Sequence, residues 1–167
     1  IRLWTDIGES VAAAGIRKLL LFNAHGGQVS VMDIVARDLR ARLGMLVYSV
    51  SWFNLPAVDD QGRDMGAQFS PEEHRFGIHA GDIETSMMLA LSPNRVNMME
   101  AKNFASTSQE RAKHYALLGN GKSAKLGWHM QDYNPDGAAG NALNAQADHG
   151  QALVQAAGLQ LARMLRE

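Results

Sequence analysis

Two short stretches of this chain combine side chains whose types and spacing suit chemistry. In the first, Asn23-Ala24-His25-Gly26-Gly27-Gln28 follows directly on the apolar run Lys18-Leu19-Leu20-Leu21-Phe22. A residue placed just after a buried strand points into the crevice where open α/β sheets collect ligands. The two glycines allow close backbone approach around it. An imidazole at that position can ligate a metal or meet a substrate. The same turn could cradle a phosphate if a helix begins after it, although its spacing matches neither the P-loop nor the dinucleotide fingerprint. His25 could also be a turn histidine that bonds only to backbone. In the second stretch, His79-Ala80-Gly81-Asp82-Ile83-Glu84-Thr85-Ser86, a histidine and a carboxylate stand five residues apart across a turn and into a helix. They can face a common cavity, offering one base or ligand and one anionic ligand. Glu84 has an alternative role as a partner of the helix dipole. Thr85 and Ser86 read as capping or packing residues, since no separate base marks a serine nucleophile.

Other candidates carry less. His74, His114, His129 and His149 fall in loops or on helix surfaces and read as solvent-facing. Glu72-Glu73-His74 has ligand-like spacing but sits in a charged loop with no strand before it, so a solvated face is expected. Trp52, Phe53, Trp128 and Tyr133 can wall a pocket or simply pack.

The elements that must position these residues follow from the apolar pattern. Leu3, Ile7 and Val11 recur every four residues and Gly15 follows, which predicts an opening helix. A chain that starts at such a helix, with no preceding strand to pack it on, suggests a missing N-terminal part. Residues 18–22 predict a strand buried on both faces. From Ser30, Val31, Ile34, Val35, Leu39 and Leu43 predict a helix ended by Gly44, and Met45–Trp52 a second strand. Strand, glycine turn, helix and strand make a βαβ unit with parallel pairing, so the fold class is α/β. Residues 54–78 predict an excursion loop. Asp82 to Ala90 reads as a helix with acids in its first turn, closed by Pro93. Residues 101–141 carry no assignable pattern. From Ala145 a final helix places Leu153, Ala157, Leu161 and Leu165 on one stripe.

Composition bounds the chemistry. A chain of 167 residues, 46% apolar and 20% charged, is neither low-complexity nor membrane-spanning, and a single domain is the default. Sixteen Lys and Arg against seventeen Asp and Glu give a net charge of -1 without like-charged blocks, which argues against a nucleic-acid partner. No apolar run reaches the ~18 residues that a bilayer span requires, so no membrane partner is expected. With no cysteine, a thiol nucleophile is excluded and any metal must be held by His, Asp and Glu. A reducing cytoplasm fits.

The segments Leu20 to Gln28 and His79 to Leu89 resemble the two later signature motifs of the creatininase family, which are metal-dependent amidohydrolases. The family's first of these is an Asn-Gly-His-Gly-Gly-Asn turn after a buried strand. The second is a His-Ala-Gly-acid-x-Glu-Thr-Ser turn into a helix. Gly137-Ala138-Ala139-Gly140-Asn141, followed by Ala145 to Gly150, resembles the family's glycine turn and Ala-rich closing helix. The resemblance spans nearly the whole chain and implies a three-layer α/β/α domain with a mostly parallel sheet, often in a homo-hexamer. It also implies a small-molecule amide substrate and two divalent ions, zinc or manganese, per complete site. His25 and Glu84 would be metal ligands on those ions. His79 would contact the substrate and move protons at the leaving nitrogen. A water bridging the two cations would attack the amide carbonyl.

The sequence departs from the family pattern in three places. Gly27 stands where creatinine-hydrolysing members carry an acidic ligand, which argues against creatinine as the substrate. Ala24 and Gln28 replace the commoner Gly and Asn. The family's first motif, a Glu-x-His pair followed by a bridging Asp, has no counterpart here, because Glu72-x-His74 falls after the first signature. Residues 1–167 are therefore expected to form one creatininase-like domain lacking its N-terminal portion and to be poorly active alone. A deformylase-like amidase is a second enzyme reading within the family. Outside it stand a non-catalytic protein that keeps the fold and oligomer surface, and a phosphate or nucleotide binder using the turn at His25.

Overall fold

Trp4, Val11 and Ala12 occupy one side of the first helix, α1 (Arg2–Ala13), and it is this side that packs inward. The computed structural model describes all residues from Ile1 to Glu167. They form two units, one of Ile1–Pro56 with Glu167 and one of Ala57–Arg166. In the first unit, α1 is followed by Gly15 at φ +88°, then by β1 (Lys18–Asn23), α2 (Val29–Leu43) and β2 (Leu46–Ser51). Gly44 ends α2 in the left-handed conformation that favours glycine, at φ +65°. The strands pair in parallel from Lys18↔Leu46 to Asn23↔Ser51, so the predicted βαβ unit is present.

Its core is built from Ala12, Val35, Leu39 and Met45, with Leu19, Leu21 and Val47 of the strands packed against it. Leu39 is fully buried, a burial that contributes about 1.5–3 kcal/mol. One expectation needs correction. The strands are covered on one face within this unit rather than both, since Phe22, Leu46 and Tyr48 are 47%, 46% and 63% exposed. Within α1, Leu3 and Ile7 are also exposed. Gly8 is the residue facing Leu39, whose side chain occupies the space a Cβ would take.

The second unit contains α3 (Pro71–Phe76), α4 (Asp82–Leu91), β3 (Asn103–Phe104), α5 (Thr107–His114), β4 (Gly140–Asn141) and α6 (Ala147–Met164). The predicted excursion loop thus holds a helix, α3. Its start is conventional: Ser70 Oγ accepts from the Glu73 N–H at 3.0 Å, Pro71 opens the first turn, and two acids follow. The unassigned stretch 101–141 contributes α5 and the two-residue antiparallel ribbon of β3 and β4. Helices α4 and α6 form the largest packing interface in this unit. Gly150 of α6 lies against the Ser86 carbonyl, where a Cβ would overlap backbone. Leu153 and Ala156 are buried on the same helix. Parallel strands joined by a helix, with further helices beyond them, make the chain α/β. No helix is long and apolar enough to cross a membrane.

Candidate metal centre

In the first unit the site begins with Asn23, the last residue of β1, which is 2% exposed. Its Nδ2 donates to Ser51 Oγ on β2 at 3.0 Å. Its Oδ1 accepts from the His25 N–H at 3.2 Å and from Gln28 Nε2 at 2.8 Å. A buried amide with donor and acceptor both used is rigid, so the turn after β1 is held from inside. His25 then caps a short helical turn, Gly26–Gln28, by accepting from the Gly27 N–H at Nδ1, 3.2 Å. The backbone-bonding role open in the sequence is therefore real. It bears on the ligand role, because a neutral imidazole has one lone pair. Taking up a cation gives up the Gly27 contact.

In the second unit the strand-like segment at Ile78 and His79 bridges antiparallel to Ala139. The N–H groups of Ile78 and His79 donate to the Ala139 carbonyl at 2.8 and 3.2 Å, and the Ala139 N–H returns to the His79 carbonyl at 2.7 Å. Ala80 then turns through φ +53°, a left-handed conformation that costs an L-residue roughly 1–2 kcal/mol. Helix α4 starts two residues later. Glu84, in its first turn, reaches back so that Oε2 accepts from the Ala80 N–H at 2.9 Å. The same oxygen lies 3.1 Å from His79 Nδ1. Both predicted residues of this motif therefore meet, and the dipole-partner role of Glu84 is fulfilled as well. A carboxylate at Nδ1 orients an imidazole and directs its Nε2 outward. Both side chains stay partly exposed, at 48% for His79 and 36% for Glu84.

Thr85 bonds within its own turn and Ser86 is a packing residue, as expected. Thr85 Oγ1 donates to the Ala80 carbonyl at 3.2 Å. The fully buried Ser86 donates to Asp82 Oδ1 at 3.1 Å and accepts from the Gln146 N–H at 3.0 Å. Asp82 is buried, which pushes its carboxyl above the usual carboxylate range, while the Ser86 hydroxyl and His149 pull it back.

Two of the histidines read as solvent-facing make specific contacts. His149 stands edge-on to Phe69, with ring centroids 5.9 Å apart, and His74 Nε2 lies 2.8 Å from the Gly66 carbonyl oxygen. His114 and His129 are exposed. Trp128 packs edge-on against Tyr133 at 5.2 Å, with Arg111 over the Tyr133 ring. Glu73, expected on a solvated face, is 6% exposed and bonded on both carboxylate oxygens. The Ser70-x-x-Glu73 spacing marks the start of the helix but not this burial.

The profile of the creatininase family, described as creatinine amidohydrolase, matches residues 1–165. Among solved structures, a Bacteroides fragilis protein bearing the provisional name creatinine amidohydrolase superposes with a TM-score of 0.74 at 27% identity, over 98% of this chain and 58% of that one. A mutant creatininase described as Zn–Zn type gives 0.67 at 20% identity, over 98% and 61%. A mutant creatininase complexed with creatine gives 0.62 at 22% identity, over 98% and 62%. This chain spans about three fifths of the length of those structures. No curated protein sequence matches it.

Proposed function

The chain belongs to the creatininase family, and from that premise we propose that it serves a metal-dependent amidohydrolase cleaving a non-peptide C–N bond in a small amide or cyclic amide. The observation that carries this reading is the His79–Glu84 pair, held at 3.1 Å on a strained turn by the same Glu84 oxygen that accepts from Ala80. The donor chemistry suits zinc or manganese: an imidazole and a carboxylate in a chain without cysteine. His25 and Glu84 are the proposed metal ligands. Divalent cations, when bound, would polarise the amide carbonyl and acidify water.

His79 is the proposed catalytic and substrate-contacting residue. With Nδ1 facing Glu84, its Nε2 is the atom that delivers a proton to the departing nitrogen, and Glu84 stabilises the charged ring between transfers. Residues 1–167 are proposed to act as one creatininase-like domain, supported by a family match over residues 1–165 that runs across both units. The exposed apolar residues Leu3, Ile7 and Tyr48 support assembly into a homo-oligomer, and the absence of cysteine suits a reducing cytoplasm.

A second reading, a family member that binds without hydrolysing, is favoured by one feature. Gly27 offers no ligand and occupies His25 Nδ1 with its own N–H. Assaying the gene-encoded protein against a panel of cyclic ureides, lactams and formamides, with and without added Zn²⁺ or Mn²⁺, separates the two. Metal-dependent release of amine or acid supports hydrolysis. Metal binding without turnover of any amide supports the second reading.

A further inference from the structure

Glu73 is an acid in the interior of the second unit, 6% exposed, on a helix of six residues. Its carboxylate does not serve its own helix. Oε1 accepts from the Ile83 N–H at 3.2 Å, in the first turn of α4, and Oε2 accepts from the Asn141 N–H at 3.2 Å, in β4. The first bond fills a specific gap. The residue before α4 is Gly81, which has no side chain to cap the helix, so Glu73 supplies the oxygen that an N-cap residue would otherwise bring. A carboxylate there also suits the positive end of the helix dipole.

The surroundings are shaped to this one group. A Cβ on Gly77 would sit 2.6 Å from Oε1, one on Gly140 would sit 2.9 Å from Oε2, and one on Gly81 would overlap Oε1. Three glycines thus leave the space that the carboxylate fills. Between the two backbone groups it grips runs the segment that matters chemically. His79 is bridged to Ala139, one residue from Gly140. Ala80 and Gly81 then lead to Ile83 and Glu84. Glu73 holds the Ile83 end and the Asn141 end, while Glu84 closes the turn between them on Ala80.

We propose that Glu73 is a positioning residue, a buried carboxylate that fixes the His79–Ala80–Gly81 turn and so sets the approach of His79 to Glu84. As a statement about catalysis this rests on the amidohydrolase reading. As a statement about the turn it does not.

The test compares wild type with Glu73→Gln, which keeps the shape but presents an amide NH₂ to one of two N–H donors, and with Glu73→Ala. Glu73→Asp, one methylene too short, replaces Glu73→Gln if that variant does not fold. The first readout is amide hydrogen exchange. Loss of Glu73 must speed exchange at Ile83 and Asn141, which it touches. The proposal requires at least a tenfold acceleration at Ala80 as well, whose acceptor is Glu84. The second readout is kinetic: kcat falls at least tenfold while KM stays within twofold, because the turn and not a substrate contact is disturbed. Unchanged Ala80 protection and unchanged kcat in folded variants of lowered Tm would overturn the proposal and leave Glu73 a purely stabilising residue. If wild type itself hydrolyses no amide, the amidohydrolase reading fails, and the Ala80 exchange alone decides for or against positioning.

Discussion

Glu84 spends one oxygen on two partners, the Ala80 N–H and His79 Nδ1, and this economy sets the roles of the pair. If His79 moves protons and Glu84 ligates, removing the imidazole spares the metal. His79→Ala is expected to lower turnover by ~10²–10⁴-fold with bound metal unchanged by elemental analysis. Loss of metal with the activity would make His79 a ligand and Glu84 its orienting partner. His25 presents the converse case, because its Nδ1 lone pair is engaged by Gly27. Titrating Zn²⁺ or Cd²⁺ into the protein is expected to shift the Gly27 amide resonance as that hydrogen bond is released. A Gly27 resonance that stays put at saturating metal would show that His25 is not a ligand.

Elements were legible in the sequence where periodicity was strong or a turn was punctuated by glycine. The β1–α2–β2 unit and the α4 start appeared within a residue or two because β1 is an unbroken apolar run, the apolar residues of α2 recur at helical spacing, and Gly44 or Gly81 marks the boundary. Helix α3 was not legible as a helix, since six residues are too short to show a period, and only its Ser70 cap betrays it. β3 and β4 are two residues each and exist through contacts distant in sequence, which no local pattern records. The His79–Glu84 pairing was readable from spacing, whereas the burial of Glu73 was not, because its partners Ile83 and Asn141 lie 10 and 68 residues away. The α4–α6 contact carries its own prediction. Gly150→Ala forces a methyl against the Ser86 backbone carbonyl, so the helices must separate. A loss of about 1–3 kcal/mol, read by chemical denaturation, is expected, and unchanged stability would show that the helices yield freely.

At the scale of the whole molecule, a family match over residues 1–165 coexists with structures of which this chain covers only 58–62%. On the proposed reading, its own His and acid motifs would supply part of a two-ion site. An ion needs enough deprotonated ligands to repay its dehydration, so the 167-residue chain by itself is expected to hold fewer than two equivalents of Zn²⁺. Two tightly held ions would show that these residues complete the site. The exposed Leu3, Ile7 and Tyr48 predict, by light scattering, a mass that is a multiple of the single chain, and a monomer at high micromolar concentration would contradict that assembly. The proposed centre requires His25 and Glu84 as ligands. The most direct test is equilibrium Zn²⁺ binding to the gene-encoded protein beside its His25→Ala and Glu84→Gln variants. Each variant is predicted to bind at least tenfold more weakly or to lose an equivalent of metal, and wild-type binding by both would contradict the proposed centre.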